Sequence, residues 1–75
     1  MNSLKIHKQI FEELLKKNFI HQSEVARRAK TSTSYISRLK TLSDSTTCSG
    51  IFAKRILEVF ELSEADISTY FYEYK

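Results

Sequence analysis

Proline is absent from this chain and glycine occurs once, at Gly50. Without the residues that punctuate tight hairpins, a sheet-rich fold is disfavoured and helices are expected throughout. Cys48 is the only cysteine, so no disulfide can form within the chain. His7 and His21 stand apart from it and from each other, which leaves no metal-binding spacing and no implied cofactor. No apolar run approaches the length that spans a bilayer, and the first residues lack the apolar stretch of a signal peptide. The expected compartment is therefore a reducing cytoplasm, with no membrane partner. Acidic residues are missing from Val25 through Ser43.

What is present suits one small domain over residues 1–75. A hydrophobic share of 41% with five Phe and four Tyr suffices for a single core. The net charge of +3 is unevenly spread. Residues 1–40 carry nine basic residues against three acids, whereas residues 41–75 carry three against six. A basic half joined to an acidic half points to one polyanion-facing surface and one solvated or partner-facing back.

Along the chain, Ser3 is placed to cap a first helix with apolar Leu4, Ile6, Ile10, Phe11, Leu14 and Leu15. Asn18 is the expected left-handed stop, with Phe19 and Ile20 tucking into the core. A second helix is predicted from about Gln22 to Ala29, with Val25, Ala26 and Ala29 on its inner face. Lys30-Thr31-Ser32 forms a turn, and Ser32 caps a third helix from Thr33 to about Lys40. Leu42 to Gly50, rich in Ser and Thr, is the one long loop and the expected mobile segment. It holds Cys48, which we expect to be an exposed bystander thiol. A fourth helix is predicted from about Ile51 to Glu61. Ser63 caps a fifth, with Glu64 and Asp66 in its first turn and Ile67, Tyr70, Phe71 and Tyr74 as its apolar stripe. The fold class expected is thus all-α, a compact five-helix bundle.

Two short helices joined by a tight turn form a helix-turn-helix unit. At about 100° per residue, Ser32, Ile36 and Leu39 of the third helix point inward, while Ser34, Ser37, Arg38 and Thr41 point outward together. That outward face has one Arg amid hydroxyls, no acid and no large apolar group. It fits the major groove of double-stranded DNA, where Arg bonds the two acceptors of guanine and hydroxyls let the backbone approach the bases. An ordinary solvated face would instead carry Glu and Lys pairs.

The stretch Gln22-Ser-Glu-Val-Ala-Arg-Arg-Ala-Lys-Thr-Ser-Thr-Ser-Tyr-Ile-Ser-Arg-Leu-Lys40 resembles the phage repressor/Cro family of lambda repressor-like helix-turn-helix proteins. The similarity extends more weakly through the fourth helix to Phe60-Glu-Leu-Ser-Glu-Ala-Asp-Ile67. The resemblance implies a five-helix fold in which Gln22 bonds a DNA phosphate and Thr33, Ser34 and Arg38 are the chief base readers, with Ser37 alongside. Tyr35 lies on the flank where the family often contacts backbone; half-buried packing is the alternative for it. Three departures stand out. Lys30 replaces a usual Gly, implying a looser turn or a left-handed Lys. Lys40 replaces a frequent Glu, adding to the basic surface and removing a common intramolecular ion pair. The loop 42–50 is longer than usual and lacks Pro.

Lys54 and Arg55 fall in the first turns of the fourth helix, where the dipole would prefer acids. They make sense if they face a phosphate. The expected backbone contacts are therefore Lys54, Arg55 and the loop on one flank, with Gln22 and Lys17 on the other and Tyr35, Lys40 and Thr41 between. The aromatic run ending at Tyr74 is too dense for one core, so Tyr70, Tyr72 and Tyr74 are expected to meet a second copy or another protein. No nucleophile elbow or buried acid–base pair suggests an enzyme. The function expected is sequence-specific transcriptional control of the kind phages and mobile elements encode. The alternatives are an antitoxin-type autorepressor that also binds a toxin, and an antirepressor-like interaction module that does not read DNA.

Overall fold

The first apolar residues of the chain do not open a helix. In the computed structural model, which describes residues 3–74, Leu4–Ile6 form a short strand, β1, buried at all three positions. It pairs antiparallel with β2, Phe71–Glu73, in the register Leu4 with Glu73, Lys5 with Tyr72 and Ile6 with Phe71. Hydrogen bonds from His7 N–H to the Tyr70 carbonyl (2.9 Å) and from Tyr74 N–H to the Ser3 carbonyl (2.8 Å) extend the ladder at both ends. On its other edge, Leu4 exchanges both main-chain bonds with Cys48, each 2.9 Å.

The fold is therefore mostly helical and compact, with a small two-stranded sheet, rather than all-α. Two expected helical segments are corrected by one pairing. Leu4 and Ile6 would lie about 200° apart on a helix but share one face of a strand. The Tyr- and Phe-rich end supplies a partner that suits a pleated surface.

The helices follow in order: α1 Lys8–Lys17, α2 Gln22–Arg28, α3 Thr33–Lys40, α4 Gly50–Glu58 and α5 Ile67–Tyr70, the last preceded by a 3-10 turn, Glu64–Asp66. Serines mark the starts of later elements, Ser32 and Ser63 among them as predicted. Ser32 accepts from Tyr35 N–H (3.1 Å) and Ser49 accepts from Phe52 N–H (3.2 Å). The Ser63 N–H donates to the Asp66 carboxylate at 2.9 Å. α1 starts later than expected, at His7, which makes no side-chain cap bond. α4 ends at Glu58, short of Glu61, which is left-handed with φ 58°.

One core unites the elements. Leu4, Ile6, Phe11, Val25, Ala26, Ala29, Ile36, Leu39, Ala53, Ile56, Leu57, Ile67 and Phe71 are buried in it. Ala26 and Ala29 carry small side chains at the inner face of α2, which lets α3 approach closely.

Two sequence expectations beside the core are reversed. Asn18 is not left-handed (φ −99°); Phe19 is, at φ 52°, and its ring is 96% exposed instead of buried. Ile20 is half-buried against the core. Cys48, expected in an exposed loop, is buried because its main chain is bridged to Leu4.

Burial pushes the Cys48 thiol up to about 11, against a smaller opposing pull from the Lys5 ammonium. The folded state thus holds the thiol proton more tightly than the unfolded chain does, and that contribution is present below the ordinary thiol range and lost as pH rises toward 11. The stability difference between wild type and Cys48→Ala, from urea titrations, is expected to shrink by about 2–3 kcal/mol between about pH 9 and about pH 11. A difference that does not change with pH would show that the thiol titrates normally.

Candidate nucleic-acid interface

The outward face of α3 is as its periodicity predicts. Thr33, Ser34, Ser37, Arg38 and Thr41 are exposed, while Ile36 and Leu39 are fully buried at 0%. Ser32 departs from the expected inward set, since it is exposed and uses its hydroxyl as the helix cap. No acid lies on this face, and the Thr41 hydroxyl closes its C-terminal end by donating to the Ser37 carbonyl at 2.9 Å.

Gln22 occupies the first position of α2 and reaches across to this face. Its amide nitrogen lies 3.1 Å from the Thr33 carbonyl, 3.0 Å from the Thr33 hydroxyl and 2.8 Å from the Ser37 hydroxyl. A primary amide has two protons for these three acceptors, so the bonds are shared. The geometry makes Gln22 a brace between α2 and α3. A phosphate contact by the same nitrogen would require one of these acceptors to be released.

The remaining expected backbone contacts divide into two sets. Lys17 and Lys54 are exposed. Tyr35, Lys40 and Arg55 make contacts within the protein, and Arg55 is exposed as well. The Tyr35 hydroxyl donates to the Thr47 carbonyl at 3.0 Å, and its ring meets Phe52 edge-on at 5.1 Å. Burial raises its phenolic pKa. Half-buried packing, the alternative for Tyr35, is thus its observed placement. Lys40 is paired with Glu12 at 3.3 Å and lies over the Phe11 ring, an ion pair that the sequence did not suggest. Arg55 donates to the Ala29 carbonyl and stacks over Phe52 at 5.4 Å. It therefore ties α4 to the end of α2, whose last carbonyls would otherwise lack partners. The sequence hinted at neither bond, because main-chain acceptors are invisible in side-chain patterns.

Glu24 holds Arg27 at 2.5 Å and Arg28 at 2.8 Å, and the hydrogen bond from Arg27, followed by that from Arg28, lowers its pKa. In the loop, hydrogen bonds from Thr46 hold the Asp44 carboxyl below its ordinary value, with Arg38 and Lys5 adding a smaller attraction. Among the described residues, no group of three or more His, Cys, Asp or Glu gathers in a way that could hold a metal. Nor is any described helix long and apolar enough to cross a membrane.

The C-terminal tyrosines are half-buried rather than arrayed on a fifth-helix stripe. Tyr70 packs against the core, Tyr72 lies 4.7 Å from the His7 ring, and Tyr74 sits beneath the Lys5 ammonium at 5.2 Å.

α2 is entered through Phe19 and left through Lys30, both left-handed, at φ 52° and 59°. A Cβ in this region costs roughly 1–2 kcal/mol, of which glycine's extra unfolded freedom returns about half. Phe19→Gly and Lys30→Gly are each expected to stabilise the protein by about 0.5–1 kcal/mol, a rise of roughly 2–8 °C in Tm. Thermal unfolding by circular dichroism measures this, and a loss of stability in both variants would contradict it. Compared with protein-family models, with curated proteins and with solved structures, the chain finds no significant match.

Proposed function

We propose that this chain is a sequence-specific DNA-binding transcriptional regulator, a cytoplasmic non-enzymatic protein needing no cofactor, whose α2–turn–α3 unit is a helix-turn-helix of the lambda repressor-like, Cro kind. The observation that carries this reading is the exposed face of α3: Thr33, Ser34, Ser37 and Arg38 without an acid among them, braced from α2 by Gln22. Inserted in the major groove, Arg38 would bond a guanine edge while the hydroxyls meet neighbouring bases. Lys17, Lys54 and Thr41 would then meet phosphates on either side. A homodimer through the C-terminal end, around Tyr70, Tyr72 and Tyr74, would present two α3 helices to successive grooves about 34 Å apart.

A second reading, an antirepressor-like interaction module that docks on another protein without reading DNA, is favoured by one observation. Phe19, Leu42 and Ile51 are exposed at 96%, 69% and 77%. Salt separates the two, since DNA affinity falls steeply with ionic strength and apolar docking does not.

Footprinting over the DNA flanking the gene, with wild type and variants, tests the proposal. Arg38→Ala is expected to lose about 1–3 kcal/mol of specific affinity, roughly 5- to 150-fold, and to retain nonspecific binding. Lys54→Gln is expected to weaken all duplexes alike and reduce the slope of log affinity against log salt by about 0.9. An unchanged footprint with Arg38→Ala would remove the base-reading role.

A further inference from the structure

Lys5 is the only charged residue buried among those described, with 0% of its surface exposed. It sits in the middle of β1 between Leu4 and Ile6, and its side chain leaves the opposite face of the strand from theirs. An ammonium has three protons, and here it finds three main-chain carbonyls: Arg38 at 3.0 Å, Asp44 at 2.7 Å and Thr46 at 2.7 Å. The Tyr74 ring covers it at 5.2 Å. No carboxylate is among its hydrogen-bond partners, so the cation is enclosed by carbonyl dipoles and one aromatic face.

The three carbonyls do not come from one element. Arg38 contributes from the last turn of α3, where its carbonyl also accepts from the Thr41 N–H at 3.2 Å and the dipole attracts a cation. Asp44 and Thr46 contribute from the loop that leaves α3. The strand bearing the lysine is itself pinned on both edges, by β2 and by the Cys48 bridge. The ammonium therefore joins the end of α3 to a strand paired on both edges, and the residue whose carbonyl it grips is the residue whose side chain is exposed as the chief candidate base reader.

We propose that Lys5 is a positioning residue for base recognition: its buried ammonium fixes the main chain of Arg38 and the path of the 42–47 loop, and so sets the direction in which the Arg38 side chain meets DNA. This rests on the DNA-reading function proposed above. Gln22 holds the outer side of α3 at Thr33 and Ser37. Lys5 holds its inner side one residue further on. Because the ammonium has no solvent exposure, it touches no phosphate and releases no counterion. Its loss should therefore lower the preference for the right sequence without changing the salt slope, unlike the loss of a surface lysine such as Lys54.

The test begins with wild type and a random-core duplex library, from which an enriched duplex and its scrambled control are taken. Lys5→Met keeps the stem and removes the charge. At matched folded fraction, its ratio of enriched to scrambled affinity should fall at least about tenfold, with an unchanged salt slope. In Lys5→Ala, propylammonium chloride should restore the ratio, and propanol at the same concentration should not. A folded Lys5→Met that keeps its ratio within about twofold, or propanol rescuing as well as propylammonium, overturns the assignment. Where neither variant folds, the wild-type protein decides. Its Lys5 ammonium should give a slowly exchanging NMR signal coupled across hydrogen bonds to the carbonyl carbons of Arg38, Asp44 and Thr46. That signal should shift with the enriched duplex and stay in place with the scrambled one. An absent signal, or equal response to both duplexes, overturns the assignment. A wild-type chain that enriches no sequence overturns the DNA-reading function as well, and so is distinguished from failure of Lys5 alone.

Discussion

A single buried ammonium constrains more of this fold than any apolar contact does. Taking a cation out of water costs several kcal/mol, and the cost is met only where every donor proton has an acceptor of good geometry. The Lys5 ammonium meets that condition with three carbonyls drawn from α3 and the loop beyond it. To aim the side chain there, residues 4–6 must be extended; to hold them extended, a second strand is needed, and the C-terminal Phe71–Glu73 supplies it. The two ends of the described chain, the loop path and the end of α3 are thus one connected solution. With so short a sheet, the small polar cluster supplies an orientation that hydrogen-bonded pairing of three residues alone would leave soft.

This explains which parts of the structure were legible in the sequence. α2, α3 and α4 are local objects, each with an apolar stripe, and Ser32 at the entrance of α3 reads directly as a cap. Their limits fall close to those expected. The outward face of α3 followed from helical geometry alone. β1 and β2 were not legible, because three-residue strands are too short to display alternation and their pairing joins residues almost seventy positions apart. Phe19 misled for a related reason. An aromatic residue beside an apolar Ile20 reads as core, whereas the chain direction needed there is left-handed and turns the ring into solvent.

Side-chain charge was legible only in number. The structure adds which cations have partners: Arg27 and Arg28 share Glu24, Lys40 meets Glu12, and Lys5 is enclosed by carbonyls. Arg55, in the acidic half, donates to the Ala29 carbonyl and stays exposed, as do Arg27, Arg28 and Arg38.

Direction is what an eight-residue helix lacks by itself. α3 buries only Ile36 and Leu39 completely, with Tyr35 half-buried beside them, and two aliphatic side chains permit rotation and sliding at little cost. Hydrogen bonds do not, because a shift of 1 Å takes a donor out of range of its acceptor. The helix is accordingly held by polar contacts at separate points: Gln22 on Thr33 and Ser37, the Tyr35 hydroxyl on Thr47, and Lys5 on the Arg38 carbonyl. Apolar burial keeps α3 attached to the fold, and these bonds determine how it is turned.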